Sequence, residues 1–161
     1  MKNITLIAAI GKNNELGKDN NLLWRIKEDL KFFKENTIGK TILMGSKTFY
    51  SLPGLLPNRK HVVLTKQDLK IDPSVVILRS VEEALQYIES LNEEVMIIGG
   101  GQIYKEFIDY SNKLLITEID DEKEADTFFP LIKKQVWKKE ILSEHEENNI
   151  KYKHILYTRK N

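Results

Sequence analysis

Short apolar runs separated by polar turn segments recur along the chain, and they predict the strands of an α/β fold. Six of these runs are apolar at nearly every position, as in parallel strands that are covered on both faces. They span residues 4–9, 41–45, 61–65, 75–78, 94–98 and 114–119. The two segments nearest the C-terminus, 136–143 and 150–159, alternate apolar and polar residues instead, which predicts an antiparallel edge.

Helical periodicity is clearest in residues 24–34. At about 100° per residue, Ile26, Leu30 and Phe33 form one apolar stripe, and Asp29 falls within it. Burial at this position would raise the pKa of the Asp29 carboxyl group. Two interpretations are open. Asp29 is a structural residue paired with a neighbouring donor, or it lies at the bottom of a cleft, where it binds a nitrogen heterocycle or handles a proton.

Two further helices begin with capping signals. Ser46 follows the second strand and is predicted to be an N-cap, and Ser80 forms a capping box with Glu83. Gly39 suits the C-terminal end of the first helix. The polar segment 11–21, between the first strand and the first helix, is either a functional lid or a disordered surface loop.

Glycines 99–101 separate a predicted strand from a predicted helix, and a backbone without side chains lets a ligand such as a pyrophosphate approach closely. The segment lacks the G-x-G-x-x-G spacing, because the third glycine would fall at Tyr104. Segment 45–48, Gly-Ser-Lys-Thr, resembles the end of a P-loop, but Lys40 stands where that motif requires glycine. Segments 99–101 and 45–48 are therefore candidates for phosphate contact, although neither matches a standard phosphate-binding motif.

Strand–helix alternation over 161 residues predicts one domain, 1–161, with a mostly parallel sheet and helices on both faces. The net charge of +1 and the dispersed basic residues exclude nucleic acid as an expected partner. No apolar run approaches the ~18 residues of a membrane span. The absence of cysteine suits a reducing, cytoplasmic location. His61, His145 and His154 lack metal-ligand spacing, so structural or surface roles and no metal are expected, and the Glu-rich run 143–147 predicts a solvated turn.

Several motifs, in their order and spacing, resemble those of dihydrofolate reductases of the bacterial chromosomal type, from Ile4 to the C-terminal strands. They are Leu16-Gly17 with Leu22-Leu23-Trp24, Asp29-Leu30 with Phe32-Phe33, Met44-Gly45 with Thr48-Phe49, Leu56-Pro57-Asn58-Arg59, the run from Ile98 to Tyr104, and Asp126-Thr127-Phe128-Phe129-Pro130. The resemblance implies hydride transfer from NADPH to 7,8-dihydrofolate, which yields 5,6,7,8-tetrahydrofolate for one-carbon metabolism and thymidylate, purine and amino-acid synthesis.

The same resemblance implies that Asp29 holds the pterin with Thr117 as its helper, that Trp24 positions a water, and that Arg59 binds the glutamate carboxylate. The implied catalytic residues are Asp29, Trp24, Thr117 and Tyr104. The implied substrate-binding residues are Ala9, Leu30, Phe33, Leu52, Leu56, Arg59 and Ile98. The implied cofactor-binding residues are Ala9, Ile10, Leu16, Gly17, Gly45, Ser46, Lys47, Thr48, Leu64, Thr65, Lys66, Arg79, Ile98, Gly99, Gly100, Gly101, Gln102, Ile103 and Tyr104.

Among the departures from the family pattern, two bear on the choice of cofactor. Ser46 stands where the family usually has an arginine for the adenosine 2′-phosphate, and Gln102 replaces a basic residue, so the preference for NADPH over NADH is open. The alternatives are a related reductase acting on a pyrimidine or riboflavin precursor and a binding module without turnover. Asp29 and Arg59 together favour a pterin with a carboxylate tail. A monomer that antifolates inhibit is expected.

Overall fold

The computed structural model describes residues 3–19 and 21–160. The strands, numbered in chain order, are β1 (Ile4–Ile10), β2 (Glu15–Lys18), β3 (Asn21–Leu22), β4 (Thr41–Gly45), β5 (Lys60–Leu64), β6 (Val76–Leu78), β7 (Val95–Gly99), β8 (Lys113–Ile119), β9 (Thr127–Phe128), β10 (Trp137–Glu147) and β11 (Ile150–Arg159). The helices are α1 (Lys27–Thr37), α2 (Ser46–Ser51), α3 (Val81–Leu91) and α4 (Gly101–Phe107), with a 3-10 turn (Ile108–Tyr110) after α4.

The main sheet has eight strands in the order β10-β11-β8-β1-β7-β4-β5-β6. The strands from β8 to β6 in this order are all parallel, and β11 and β10 add an antiparallel edge. The fold class predicted from the apolar runs is therefore confirmed.

The turn between β10 and β11 lies at Asn148 and Asn149, whose φ angles of 52° and 66° are both positive. Positive φ at two consecutive residues is typical of the tight turns that join antiparallel strands, and asparagine tolerates it well. The prediction that the acidic run 143–147 forms the turn was wrong. Those residues belong to β10, because the asparagine pair, and not the glutamates, provides the turn conformation.

Helices cover both faces of the main sheet. Consecutive residues of a strand point to opposite faces, so Leu43 and Met44 of β4 enter different clusters. Leu43 packs with Ile97 and with Phe107 of α4. Met44 belongs to the opposite cluster, against which Phe33 of α1 packs. This second cluster forms the wall of the sheet next to α1.

Helix α1 begins at Lys27, so the prediction that helical structure starts at Trp24 was wrong. Ile26 is the extended N-cap residue, with φ −114° and ψ 115°, and its carbonyl accepts the amide of Leu30 at 3.0 Å. Trp24 and Ile26 are buried in a cluster with Ile119, which holds the segment before the helix in an extended form. The apolar stripe therefore runs from an extended residue, Ile26, into the helix at Leu30 and Phe33. Tertiary packing decides where the helix begins.

The two predicted N-caps have different outcomes. Ser80 caps α3, because its side chain accepts the amide of Glu83 at 3.1 Å, as predicted. The prediction for Ser46 was wrong: Gly45 is the N-cap of α2, and Ser46 is the first helical residue. Gly39, with φ +78°, follows the C-cap of α1 as expected.

Strand pairing holds most of segment 11–21 in place, so the segment is not an irregular loop. Strand β2 pairs with β3 and with β9 in a three-stranded antiparallel sheet, while Asn20 lies outside the described residues. Glu15 is 2% exposed and accepts the amides of Asn13 at 2.6 Å and Lys123 at 2.9 Å. These bonds hold the segment against the 120–126 loop, so the alternative of a disordered surface loop does not hold.

Candidate active site

Strand order alone brings the predicted site residues together at one edge of the sheet. Ala9 of β1 lies directly opposite Thr117 of β8, and Gly45 of β4 lies opposite Leu64 of β5. Gly99 of β7 pairs in the ladder with the residue before Gly45. In open sheets of this type, ligands bind outside the carboxyl ends of parallel strands. The carboxyl ends of β8, β1, β7, β4 and β5 therefore form one continuous candidate site.

Asp29 lies at the side of this site formed by α1. Its side chain is 20% exposed, and its Oδ1 accepts the Thr117 hydroxyl at 2.5 Å. Burial raises the pKa of the Asp29 carboxyl group, although the Thr117 hydrogen bond and the nearby His154 oppose the rise. Asp29 is therefore a carboxylate that is largely shielded from solvent, and Thr117 and His154 offset only part of the cost of burying its charge. This setting is typical of a functional group.

His154 is a member of this cluster that the sequence did not reveal. It is 1% exposed and lies opposite Thr117 in the β11–β8 ladder. Its Nδ1 lies 3.0 Å from the Thr117 hydroxyl, and its Nε2 lies 2.7 Å from a carboxylate oxygen of Glu28. Alternation along β11 places His154 on a buried face, but its partner strand could not be read from local pattern.

The same cluster includes His145, whose ring centroid lies 5.1 Å from that of His154. One ligand-type atom from each of Glu28, His145 and His154 lies within 4.8 Å of the other two. Both ring nitrogens of His154 are engaged by hydrogen bonds, however. The arrangement is a hydrogen-bond network around a buried ring. His61, by contrast, is the structural histidine that was predicted: its ring nitrogens contact the amide of Leu56 and the carbonyl of Arg59.

The substrate side of the site is lined by apolar groups that the core does not cover. Leu30 of α1 is 44% exposed, while Phe33, Leu52 and Leu56 are half-buried and the last three pack against the sheet. A core-facing stripe would be buried, so this apolar helix face is free to contact a ligand. Ile98, at the end of β7, is also half-buried.

Arg59 lies beside the end of α1. Its Nη1 donates to Thr37 Oγ1 at 3.0 Å and its Nε donates to the Pro57 carbonyl at 3.1 Å. Two bonds from one planar group fix the orientation of the guanidinium. Partial burial lowers the pKa of Arg59 but leaves the group charged at neutral pH.

The cofactor side is shaped by glycines. The Gly99–Gly100 peptide is cis, and Gly99 has φ +127°, a conformation that side chains disfavour. A Cβ at Gly101 would lie 2.7 Å from Thr127 Cγ2 and 3.3 Å from the Phe128 carbonyl oxygen. This backbone is therefore bare by necessity, and it provides a smooth surface at the end of β7.

Tyr104 closes the inner end of this surface. Its hydroxyl donates to the Ile7 carbonyl at 2.6 Å, and burial raises its pKa far above the usual value. The hydroxyl is therefore neutral and committed to β1, so Tyr104 contributes shape and not acid chemistry. Trp24 also has its donor occupied, because the indole Nε1 donates to Asp121 at 2.9 Å. For Trp24 to position a water beside Asp29, its indole N–H would have to turn from Asp121 toward Asp29.

The remaining predicted cofactor residues lie after successive strand ends. Ser46, Lys47 and Thr48 follow β4, Thr65 and Lys66 follow β5, and Arg79 follows β6. Arg79 is held in place, since it donates to the carbonyls of Gln67 at 2.6 Å and Thr65 at 3.3 Å.

The segment before α1 and helix α4 complete the cofactor side. A Cβ at Gly101 would lie 3.8 Å from Leu16 Cδ1, so β2, which also contains Gly17, reaches the glycine turn. Gln102 donates to Glu106 at 3.0 Å on the exposed side of α4, and Ile103 is buried. Ile10, at the end of β1, is 2% exposed.

Comparison with known proteins agrees with this arrangement. The family model described as dihydrofolate reductase matches residues 3–159. The chain belongs to the dihydrofolate reductase family. The dihydrofolate reductase of Haemophilus influenzae is 36% identical over 159 residues, covering 97% of this chain and 98% of that protein. The Bacillus subtilis enzyme is 37% identical over 161 residues, covering 98% and 95%.

A solved structure of Enterococcus faecalis dihydrofolate reductase, in a complex with NADP(H) and RAB-propyl, superposes with a TM-score of 0.86 at 34% identity. The match covers 99% of this chain and 97% of that one. Family membership makes this protein an NADPH-dependent oxidoreductase that reduces a C=N bond of dihydrofolate to the CH–NH group of tetrahydrofolate. Across the described residues, each helix is too short or too polar to cross a membrane.

Proposed function

We propose that Asp29 binds the pterin ring of dihydrofolate and controls the proton that this reaction consumes. The observation that supports this role is a partly buried carboxylate with a raised pKa, next in the chain to the partly exposed apolar residue Leu30. A carboxylate in this setting accepts hydrogen bonds from the amino and ring N–H groups of a heterocycle. Its raised proton affinity suits proton handling near neutral pH.

Thr117 is proposed to support Asp29. Its hydroxyl donates to Oδ1, which leaves Asp29 oriented by a fixed partner on the rigid strand β8. Leu30, Phe33 and Leu56 are proposed to hold the flat ring system of the substrate, because these apolar side chains line the cleft beside Asp29. Such contacts exclude water and keep the reacting atoms aligned.

Arg59 is proposed to bind the carboxylate tail of the substrate. Its guanidinium is already oriented by Thr37 and Pro57, and a planar fork pairs well with a carboxylate. A substrate with an aromatic head and an anionic tail therefore matches a site with Asp29 and Arg59 at separate positions. A pyrimidine or riboflavin precursor would make no comparable use of Arg59.

The cofactor side suits NADPH because its backbone carries no side chains that a pyrophosphate would have to pass: the φ of +127° at Gly99 disfavours a side chain, and at Gly101 a Cβ would collide with Thr127. NADPH supplies the hydride. Ala9, Leu16 and Tyr104 are proposed to frame the nicotinamide ring, and Thr48 together with the glycines is proposed to contact the phosphates. The remaining proposed contacts are Ile10, Gly17, Gly45, Ser46, Lys47, Leu64, Thr65, Lys66, Arg79, Ile98, Gly100, Gln102 and Ile103.

A steady-state assay of the purified protein tests the whole proposal. We expect oxidation of NADPH that depends on dihydrofolate, with NADH used less efficiently. Comparison of wild type with Asp29→Asn then tests the role of the carboxylate. Folded protein that binds dihydrofolate but gives no turnover with either cofactor would support the alternative of a binding module.

We also propose that the chain acts as a single-domain monomer in the cytoplasm. The most exposed large hydrophobic residues, Leu131, Leu22 and Tyr50, are 73%, 63% and 60% exposed, and they lie far apart along the chain. The cysteine-free sequence suits a reducing compartment. Light scattering coupled to size-exclusion chromatography tests the oligomeric state, and a mass twice that of the chain would contradict it.

A further inference from the structure

A continuous hydrogen-bonded path leads from Asp29 through Thr117 and the buried His154 back to the partly exposed Glu28 of α1. The Thr117 hydroxyl lies between Asp29 Oδ1, at 2.5 Å, and His154 Nδ1, at 3.0 Å. His154 Nε2 continues the path to Glu28 at 2.7 Å. The His154 ring is also stacked on Phe32, with centroids 3.8 Å apart and 8° between the planes. The ring is therefore fixed in position by two hydrogen bonds and one stacking contact.

Counting protons along this path assigns the charge of His154. The Thr117 hydroxyl has a single proton and donates it to Asp29, so the proton between Thr117 and His154 must be on Nδ1. Burial alone would raise the pKa of Glu28, but the hydrogen bond and charge of His154, together with smaller contributions from His145 and Tyr152, outweigh burial and the pKa is lowered. Glu28 is thus a carboxylate, and the proton between it and His154 is on Nε2. With both nitrogens protonated, the ring is an imidazolium.

We propose that His154 is a positioning residue of the reductase reaction: its imidazolium, held by Glu28, directs the Thr117 hydroxyl to Asp29 and stabilises the Asp29 carboxylate. His154 Nδ1 lies 3.9 Å from Asp29 Oδ1, so the charge acts through space as well as through Thr117. The inference rests on the role proposed above for Asp29. It adds a residue from β11, on the side of Thr117 away from the substrate.

Other ionisable groups near His154 set the sign of the expected pH effect. Glu28 and Asp29 face it from α1, and His145 approaches it from β10. Tyr152, which lies in β11 like His154, stays neutral, because burial and the Glu28 carboxylate raise its pKa to about 12. Glu147 of β10 acts on Tyr152. Loss of the His154 charge leaves Asp29 next to the Glu28 carboxylate, so Asp29 should hold its proton to higher pH.

The test compares His154→Phe with the matched control His145→Phe. Phenylalanine preserves a flat ring against Phe32 but removes both hydrogen bonds and the charge. His145 contacts the rings of Tyr152 and His154, and its own hydrogen bond is to Ser143. For His154→Phe we expect kcat/KM at pH 7 to fall about tenfold, as for loss of a charged hydrogen bond. The descending limb of the pH profile should move to higher pH, while the control keeps the wild-type limb.

Nitrogen NMR of the wild-type protein provides a second readout that needs neither folding of a variant nor turnover. With ¹⁵N-labelled histidine at pH 7, we expect both ring nitrogens of His154 to be of the protonated type. A pyridine-type nitrogen in His154 would overturn the inference, as would a His154→Phe profile identical to that of the control. Asp29→Asn with undiminished turnover would instead overturn the proposed role of Asp29, so the two failures are distinguishable.

Discussion

The substrate half and the cofactor half of the site are built from different parts of the chain. The substrate half works through charged and polar side chains, with Asp29 bonded to Thr117 and Arg59 bonded to Thr37. The cofactor half works through backbone, at Gly99 to Gly101, where side chains are excluded by space or by conformation. One half should therefore fail when a charge is changed, and the other when a carbon atom is added.

The difference follows from what each half is proposed to bind. A heterocycle that must be oriented and protonated needs donors, acceptors and a tuned pKa, which only side chains provide. A long, flexible dinucleotide needs a surface that it can approach closely, and bare backbone provides it. The substrate half consequently keeps a costly carboxylate partly buried, whereas the cofactor half contains hardly any buried charge to destabilise the fold.

The largest expected effect comes from Asp29→Asn. Removal of the carboxylate should lower kcat/KM for dihydrofolate at pH 7 by about 10²–10⁴-fold, the range for loss of a proton-handling group. Activity should recover in part at low pH, where the substrate is already protonated. Asp109→Asn changes an exposed carboxylate of the 3-10 turn and serves as the control. Wild-type rates for Asp29→Asn at pH 7 would remove Asp29 from the mechanism.

The same variant should be more stable than wild type at pH 7. The pKa of Asp29 is raised by burial, so the folded state binds this proton more tightly than the unfolded state. The stabilisation is present below the unfolded pKa and is lost as the pH rises through the folded pKa. Asparagine carries no charge at any pH, so its advantage should disappear in acid. Urea unfolding of both proteins at neutral and acid pH measures this difference.

Replacement of Arg59 by lysine should have the next largest effect. Lysine keeps the charge but loses the planar fork, so the KM for dihydrofolate should rise about 10- to 100-fold. Because Arg59 is distant from the reacting atoms in this proposal, kcat should change much less. Lys60→Met, at the exposed neighbouring residue, is the control. A fall in kcat with an unchanged KM would contradict tail binding.

On the cofactor side, Gly101→Ala should raise the KM for NADPH about tenfold and lower the free energy of unfolding by about 1–3 kcal/mol, as overpacking does. The new Cβ would lie 2.7 Å from Thr127 Cγ2. Thr127→Ser removes that methyl group, so the double variant should recover part of both losses. Gly54→Ala is the matched control, because nothing lies within 4 Å of a Cβ there. An unaltered KM for NADPH in Gly101→Ala would contradict the backbone surface.

The two halves also differ in how far the sequence predicts them. Consecutive glycines after a strand are visible in the sequence, and Gly99 to Gly101 lie between a strand and a helix as predicted. Asp29 was equally visible as a charge in an apolar stripe. His154 was not, because its importance depends on the pairing of β11 with β8, which places it opposite Thr117. Local alternation predicts which face a residue is on but not which strand lies beside it.

The strands within segment 11–21 were not predicted, for a related reason. Its short strands β2 and β3 have no apolar pattern and exist because β9 and the buried Glu15 hold them. A buried glutamate that accepts two backbone amides depends on a loop about a hundred residues later in the chain. The start of α1 was misplaced similarly, since the contact of Trp24 with Asp121 is equally remote in sequence. Long-range partners, more than local propensity, set these details.

The smallest expected effect concerns the choice between NADPH and NADH. Ser46 is the half-buried first residue of α2, where the family usually has an arginine, and Arg79 is already bound to the carbonyls of Thr65 and Gln67. Ser46→Arg should therefore raise the ratio of kcat/KM for NADPH to that for NADH by about three- to tenfold, through NADPH alone.

Ser46→Lys distinguishes charge from geometry at the same position. If a planar fork recognises the 2′-phosphate, lysine should give only part of the gain that arginine gives. If charge alone matters, the two variants should be equal, and the gain should decline together in high salt. An unchanged ratio in both would mean that the exposed Lys47 or Lys66 already supplies the phosphate contact. The cofactor half would then rely on side-chain charge at its outer end, which would limit the contrast with the substrate half to the glycine surface.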